Sequence, residues 1–244
     1  MQTKLPQGWT LIEKAETDST NEDVKKLPAG SDKTVVCARI QTGGRGRMGR
    51  HWVCREGNLY VSFCVEPIRL IQAGMYSFLT AVALMQAMEE LCPGLSVCCK
   101  WPNDLLIDGK KVSGILLETN GSDRLIVGIG VNLMPVDESR MLYPVTSLRQ
   151  EGFDLQRGQL LEILLDRFDF WQKCYQTEGA EPILKTWRQK AYGMGKMVTV
   201  NLPDRREQGT FYGLDQDGCL LLNKDEKIIK ITAGDVFFGQ TGKN

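Results

Sequence analysis

The chain has a single histidine, His51, among its 244 residues, and its thirty basic side chains cancel thirty acidic ones. One histidine removes the commonest ways of building a site. A Ser-His-Asp triad or a Cys-His dyad would have to run through His51, and no G-x-S-x-G elbow accompanies it. A Cys/His zinc site is just as poorly supplied. Zero net charge argues against a surface built for nucleic acid, which shows a basic excess or a basic face. Long hydrophobic runs are missing too: the longest, around Phe78 to Met85, is too short and interrupted to span a bilayer. The N-terminal MQTKLPQGWTLIEKAE carries charge where a signal peptide needs its apolar stretch, so neither export nor a membrane is expected. Internal repeats, low-complexity tracts and long polar linkers are also absent.

Cysteine is present eight times, yet no C-x-x-C pair occurs. Cys37, Cys64 and Cys98 lie inside apolar, strand-like runs, where a thiol behaves as a small hydrophobe. Structural thiols in a reducing compartment follow, and the cytoplasm is the expected location.

The pattern of the chain predicts a mixed α/β (α+β) domain with a small all-β appendage. Residues 34–41 (TVVCARIQ) and 59–66 (LYVSFCVE) read as strands, being short, β-branched or aromatic runs. Residues 76–91 place Phe78, Leu79, Val82, Met85 and Leu91 at helical spacing, stopped by Pro93-Gly94. Strands follow at 95–100, 105–107 and 110–118. The last two are joined by Asp108-Gly109, a hairpin signal because both positions tolerate positive φ. A polar turn at Asn120 to Asp123 leads to a strand over 125–133. A helix over 160–175 aligns Leu161, Leu164, Phe168, Trp171 and Tyr175, and a shorter one follows around 182–191. After Gly193, four short strands (MVTVNL, GTFYGLD, CLLLNK and KIIKITAGDVFF) suggest a barrel of about fifty residues that leans on the larger domain.

Four stretches carry chemistry. Residues 41–52, QTGGRGRMGRHW, alternate four glycines with Arg45, Arg47 and Arg50, and no carboxylate follows until Glu56. Glycine lets the backbone approach a ligand, and arginine offers forked, charge-assisted bonds to phosphate or carboxylate. It is neither a Walker loop nor a dinucleotide fingerprint, since GK[ST] is missing and a strand rather than a helix comes next. A solvated basic turn and an RNA contact stay open from the loop alone. In KWPNDLLIDGKKVSG, 100–114, Lys100, Asn103, Asp104 and Lys111 share a tight turn and the hairpin behind it, which can return Lys111 toward the turn and suggests activation chemistry; an ordinary polar turn is the plainer alternative. In DSTNEDVKKL, 18–27, Thr20 with Asp23 reads as a helix N-cap, compatible with ligand-binding hydroxyls at Ser19 and Thr20. In GIGVNL, 128–133, glycines within a strand mark close approach by a ligand or by another backbone, with Asn132 able to read a base edge. His51 borders the arginine loop, Met85 and Met88 fill the core, and Asp204 to Glu207 form a solvated turn.

Together these stretches resemble the biotin protein ligase family. GRGRMGRHW is similar to that family's GRGRxGRxW loop, and KWPNDL followed by Lys111-x-x-Gly114 to its second signature. Ser19-Thr20-Asn21 and the G-x-G-x-N of 128–132 match two more, all in family order, over roughly residues 9 to 148. The resemblance implies a catalytic domain over 1–192, like class II aminoacyl-tRNA synthetases and lipoate ligases, and an SH3-like barrel over 193–244. It also implies a two-step reaction. Biotin's carboxylate attacks the α-phosphorus of Mg-ATP to give biotinyl-5′-AMP and pyrophosphate, and a lysine of a biotin carboxyl carrier protein then takes the biotinyl group.

Carried over by position, Ser19, Thr20 and Gln41 surround the ureido ring, with backbone from Gly44 and Gly114. Arg45 and Arg47 hold biotin and the phosphates, and Arg50 assists. Lys111 lies beside the carboxylate and the bridging phosphate. Trp52 covers the adenine and Asn132 bonds it. Asp104, with Asn103 alongside, orients and deprotonates the acceptor amine, whose loss of a proton costs about 4–5 kcal/mol at neutral pH. The metal ligands are not assigned, and a homodimer is compatible with the resemblance. Some members carry an N-terminal DNA-binding winged helix; the first matching motif here begins near residue 17, so no DNA binding is expected. Gly43, where relatives often have alanine, is expected to loosen the loop slightly. A lipoate or octanoate ligase on the same fold, and an RNA-binding module, are the rival readings.

Overall fold

The structure, a computed structural model, describes residues 4–65, 72–121, 124–137 and 143–238. Glu66, Ser122 and Asp123, where one expected strand and one expected turn end, lie outside these residues, as do 239–244 of the expected barrel.

The larger unit is a seven-stranded sheet in the order β1-β2-β3-β7-β6-β5-β4. Its strands are β1 (Thr10–Thr17), β2 (Thr34–Gln41), β3 (Leu59–Val65), β4 (Cys98–Lys100), β5 (Asp104–Ile107), β6 (Lys110–Thr119) and β7 (Leu125–Val131). Only β1 and β2 run parallel; the remaining neighbours are antiparallel, so the sheet is mixed. Side chains alternate across it. Leu59, Val61, Phe63 and Val65 of β3, with Leu125, Val127, Ile129 and Val131 of β7, join the main core, where α2 (Met75–Leu91) and α3 (Arg157–Glu178) pack. Phe63 meets Phe168 of α3 edge-on at 4.7 Å between centroids. Cys64 and Ile126 point to the opposite face and pack with Val36 against Val24 of α1 (Thr20–Lys25). That opposite face, beyond α1, is where the strands turn small and polar. Ser62 pairs with Gly128, and Gly114 with Gly130.

Three expectations need correcting. The sequence reading passed over β1, an edge strand whose residues are all exposed or half-buried and mostly polar, so neither a buried run nor a clean alternation marked it. The stripe expected on α2 is instead a helix buried almost all round, because α3 and α4 (Glu181–Gln189) cover the side turned away from the sheet. The last run after Gly193 divides at residues 232–234, which gives five strands rather than four: β8 (Met197–Asn201), β9 (Arg206–Leu214), β10 (Leu220–Lys224), β11 (Lys227–Ile231) and β12 (Asp235–Phe238). They form one antiparallel sheet in the order β11-β10-β9-β8-β12. Its β9–β10 turn docks on the WPN turn: Trp101 Nε1 donates to the Gly218 carbonyl at 3.0 Å. All eight cysteines are free thiols; burial pushes the Cys37 thiol up to about 11, so it stays protonated.

Candidate active site

The end of β2, the start of α1 and the small residues of β3, β6 and β7 enclose a cleft of about 980 Å³ including its open mouth. The helix start differs from the expected one. Ser19, not Thr20, is the N-cap, and its side chain makes no capping bond. The Thr20 amide, one of the donors a helix leaves orphaned, is satisfied by Gln41 Oε1 on β2 at 2.8 Å. Thr20 Oγ1 also lies 3.0 Å from that oxygen. So the cap binds two candidate residues into one unit on the cleft floor.

The glycines of β7 are there for close approach. A Cβ on Gly128 would sit 2.1 Å from Asn21 Oδ1, and one on Gly130 2.7 Å from the Trp52 ring. Trp52 lies across Gly130 and Gly114 with its Nε1 buried and unpaired. Gly44 lies just behind the lining; a Cβ there would meet Cys54 Sγ at 2.7 Å and the Trp52 carbonyl at 2.8 Å. At Gly43 a Cβ would fall 2.0 Å from Asp18 Oδ1, so this glycine makes room for a carboxylate.

The hairpin does return Lys111 to the WPND turn. Its Nζ lies 2.6 Å from Asp104 Oδ1, a close ion pair too oblique for a hydrogen bond. The ammonium also stands 5.4 Å from the ring centroids of both Trp52 and Tyr143. Asn103 is fixed from both sides, donating to the Ile115 carbonyl at 2.6 Å and accepting from Arg47 at 3.3 Å.

The arginines do not stand free, as the local sequence suggested. Arg45 pairs with Glu22 and, at 3.4 Å, with Glu118, and the bond to Glu22 holds its guanidinium more firmly charged. Arg50 makes two 2.7 Å bonds to Asp235 at the start of β12, and Arg47 reaches the Gly234 carbonyl at 3.4 Å. Burial works against the charge on Arg47, with Asp235 and Asp104 opposing that effect.

Ser19, Thr20, Gln41, Arg45, Arg47, Arg50, Trp52, Asn103, Asp104, Lys111 and Gly114 all line the one cleft, and His51 borders it. Asn132 does not: it is buried and its amide donates to the Thr146 carbonyl at 3.0 Å. Sequence reasoning missed Ser62, Tyr143 and the β12 residues Asp235 to Phe237. Ser62 lay inside a strand with no local mark. Asp235 and its neighbours come from the far end of the chain. Lys100, named from the sequence in the WPND turn but given no role of its own, also lines the cleft. Among the described residues no group of three or more His, Cys, Asp and Glu stands ready to hold a metal ion.

The model of the Biotin/lipoate A/B protein ligase family matches residues 13–132, and that of the Biotin protein ligase C terminal domain matches residues 193–239. The chain is 36% identical to a biotin--[acetyl-CoA-carboxylase] ligase of Paracoccus denitrificans, covering 92% of this chain and 99% of that protein. It is 38% identical to the bifunctional ligase/repressor BirA of Bacillus subtilis, covering 95% of this chain and 75% of that one. Among solved structures, the biotin protein ligase from Aquifex aeolicus in complex with biotin and ATP superposes with a TM-score of 0.83 at 32% identity, covering 93% of this chain and 97% of that one.

Proposed function

The chain belongs to the biotin/lipoate A/B protein ligase family, and from that premise we propose that it is a biotin ligase working through biotinyl-5′-AMP. It activates biotin with ATP, releases pyrophosphate, and passes the biotinyl group to a lysine of a biotin carboxyl carrier domain. The observation that carries this reading is one cleft holding both a polar floor and a cationic rim. The floor is Thr20, Gln41 and Ser62; the rim is Lys111, Arg45, Arg47 and Arg50.

In the first step the ureido ring lies on the floor and the carboxylate beside Lys111, with Ser19 and Gly114 completing the pocket. A carboxylate oxygen bonds to the α-phosphorus while pyrophosphate leaves with the electrons of the broken P–O bond. Negative charge gathers between two anions, so Lys111 and Arg47 act mainly by neutralising it in the transition state. Trp52 moves to the adenine, Arg50 holds phosphate, and Mg²⁺ enters with the triphosphate as part of that substrate. Asn132, buried and bonded to the Thr146 carbonyl outside the cleft, is given no part in holding the adenine. In the second step Asp104 leaves Lys111, takes a proton from the acceptor amine, and the amine displaces AMP; Asn103 steadies the turn.

We take residues 1–192 as the catalytic unit and 193–244 as the barrel. A cytoplasmic location fits eight free thiols, and among the described residues no helix is long and apolar enough to cross a membrane. A lipoyl or octanoyl chain offers no N–H or carbonyl to this floor, which would leave Thr20, Gln41 and Ser62 without ligand bonds. The test is ATP–pyrophosphate exchange with biotin, lipoate and octanoate in parallel. Exchange with biotin alone, lost in Lys111→Ala chiefly through kcat, is the expected result. Exchange with lipoate instead would keep the mechanism and replace the substrate.

A further inference from the structure

The ammonium of Lys111 rests among Asp104, Trp52, Tyr143 and Gly114, and the reaction proposed above moves two of these away. Asp104 Oδ1 lies 2.6 Å from Nζ, and the ring centroids of Trp52 and Tyr143 lie 5.4 Å from it. Gly114 leaves room for the end of the side chain, since a Cβ there would sit 3.2 Å from Nζ. Trp52 goes to the adenine during activation, and Asp104 goes to the acceptor amine during transfer. A lysine ends in a compact charge on a flexible four-carbon stem, so losing both contacts would cost it its aim. Tyr143 is the partner that remains.

Tyr143 is tied to Lys111 through the backbone. The segment that follows it runs parallel to the start of β6. The Lys111 amide donates to the Pro144 carbonyl at 2.9 Å, the Thr146 amide donates to the Lys111 carbonyl at 2.9 Å, and Val145 pairs with Lys111 between them. Val145, Thr146 and Ser147 are buried, and Thr146 Oγ1 is held 2.6 Å from Glu151 Oε1. The ring of Tyr143 therefore keeps its register with Lys111 when the arginine loop moves.

The chemistry of the contact differs as well. A carboxylate holds an ammonium by cancelling its charge, and that charge is what a transition state between two anions requires. An aromatic face attracts the cation through its quadrupole and leaves the net charge in place.

We propose that Tyr143 is a positioning residue: its ring face keeps the Lys111 ammonium aimed at the junction of biotin carboxylate and α-phosphate while Trp52 and Asp104 change partners. The inference rests on the biotin ligase reading above and extends it to a residue outside the four chemistry-bearing stretches.

The test is biotin-dependent ATP–pyrophosphate exchange in Tyr143→Phe and Tyr143→Leu, with kcat and both KM values measured separately. Phenylalanine keeps the ring face and loses the hydroxyl; leucine keeps apolar bulk and loses the ring. Tyr143→Phe should stay within about twofold of wild type. Tyr143→Leu should lose about 5- to 30-fold in kcat, with KM for biotin and for ATP within about twofold. Should leucine lower Tm, Tyr143→Met repeats the comparison with a flexible side chain that also lacks a ring. Equal losses in the phenylalanine and leucine variants would assign the role to the hydroxyl. Raised KM values at unchanged kcat would make Tyr143 a wall of the cleft, and wild-type kcat without a ring would show that Lys111 needs none. Each of these three results overturns the proposal. A wild-type protein without biotin-dependent exchange overturns the ligase reading itself, before any variant is compared, which separates the two failures.

Discussion

Lys100 closes β4 beside the WPND turn, and its ammonium lies 5.8 Å from the ring centroid of Phe237 on the barrel. Burial lowers its pKa below the ordinary lysine value, against the attraction of Asp104 and Asp235. A lysine whose folded pKa lies below its unfolded one weakens the fold in full at pH below the folded value, and the penalty fades as pH rises from the folded to the unfolded value. Lys100→Met should therefore raise Tm, by about 2–4 °C for each kcal/mol released, while weakening ATP binding. A melt combined with ATP titration checks this; a lower Tm would mean that the charge supports the fold. Glu22 behaves in the opposite sense. Lys25 first and Arg45 second hold its carboxyl down to about 2, so the tether to Arg45 contributes above the unfolded value near 4.5 and is lost only as pH falls through about 2. Limited proteolysis of the arginine loop should look the same at pH 7 and pH 4.5, and Glu22→Gln should cut faster at both. At this scale the sequence hid the partners, not the chemistry. Arg45 and Arg50 looked unpaired because Glu22, Glu118 and Asp235 lie 23, 73 and 185 residues away.

At the scale of elements, strand alternation explains why the motifs work where they do. β3 and β7 turn large apolar residues to the helices and Ser62, Gly128 and Gly130 to the cleft, so the G-x-G spacing of β7 is one face of a strand. The sequence leaves ligand approach and tight packing both open for these glycines, and the structure shows the packing: Asn21 and Trp52 lie where a Cβ would be. Gly128→Ala should displace Asn21, raise KM for biotin by about tenfold or more, and leave KM for ATP within about twofold. Equal changes in both constants would place the fault in the fold rather than the floor. The arginine loop is anchored by carboxylates at Arg45 and Arg50, yet carries Met48 at φ 56° with 65% of its surface exposed. Biotin with ATP should protect this loop from protease more than either alone, since both ligands are needed to replace those anchors. Unchanged cleavage would mean that the loop does not fold over the bound substrates. What was legible here followed burial. Strands with one apolar face and helices with a stripe were readable, whereas edge strand β1 and the all-round burial of α2 depend on neighbours that only tertiary packing supplies.

Across the whole molecule, the C-terminal sheet completes the cleft instead of hanging beside it. Asp235 and Phe237 line the cleft, where they meet Arg50 and Lys100, while the β9–β10 turn locks onto the WPN turn and α2. The expectation that a thin β unit leans on the larger domain thus has a physical form, but the sequence could not say that its edge enters the site, because no local pattern joins residue 50 to residue 235. Gly218 is the test of that seat. Its φ of +77° and the 2.5 Å approach of a Cβ to Phe78 make alanine strained twice over. Left-handed strain of about 1–2 kcal/mol and overpacking of about 1–3 kcal/mol should lower Tm by about 4–20 °C. Below the melt, a lifted barrel should raise KM for ATP several-fold and leave biotin affinity, which depends on α1, β2 and β7, within about twofold. Parallel loss of both substrates would mean that the barrel braces the entire sheet. An unchanged KM for ATP, in a protein with the lower Tm, would mean that Asp235 and Phe237 sit at the cleft without serving the nucleotide.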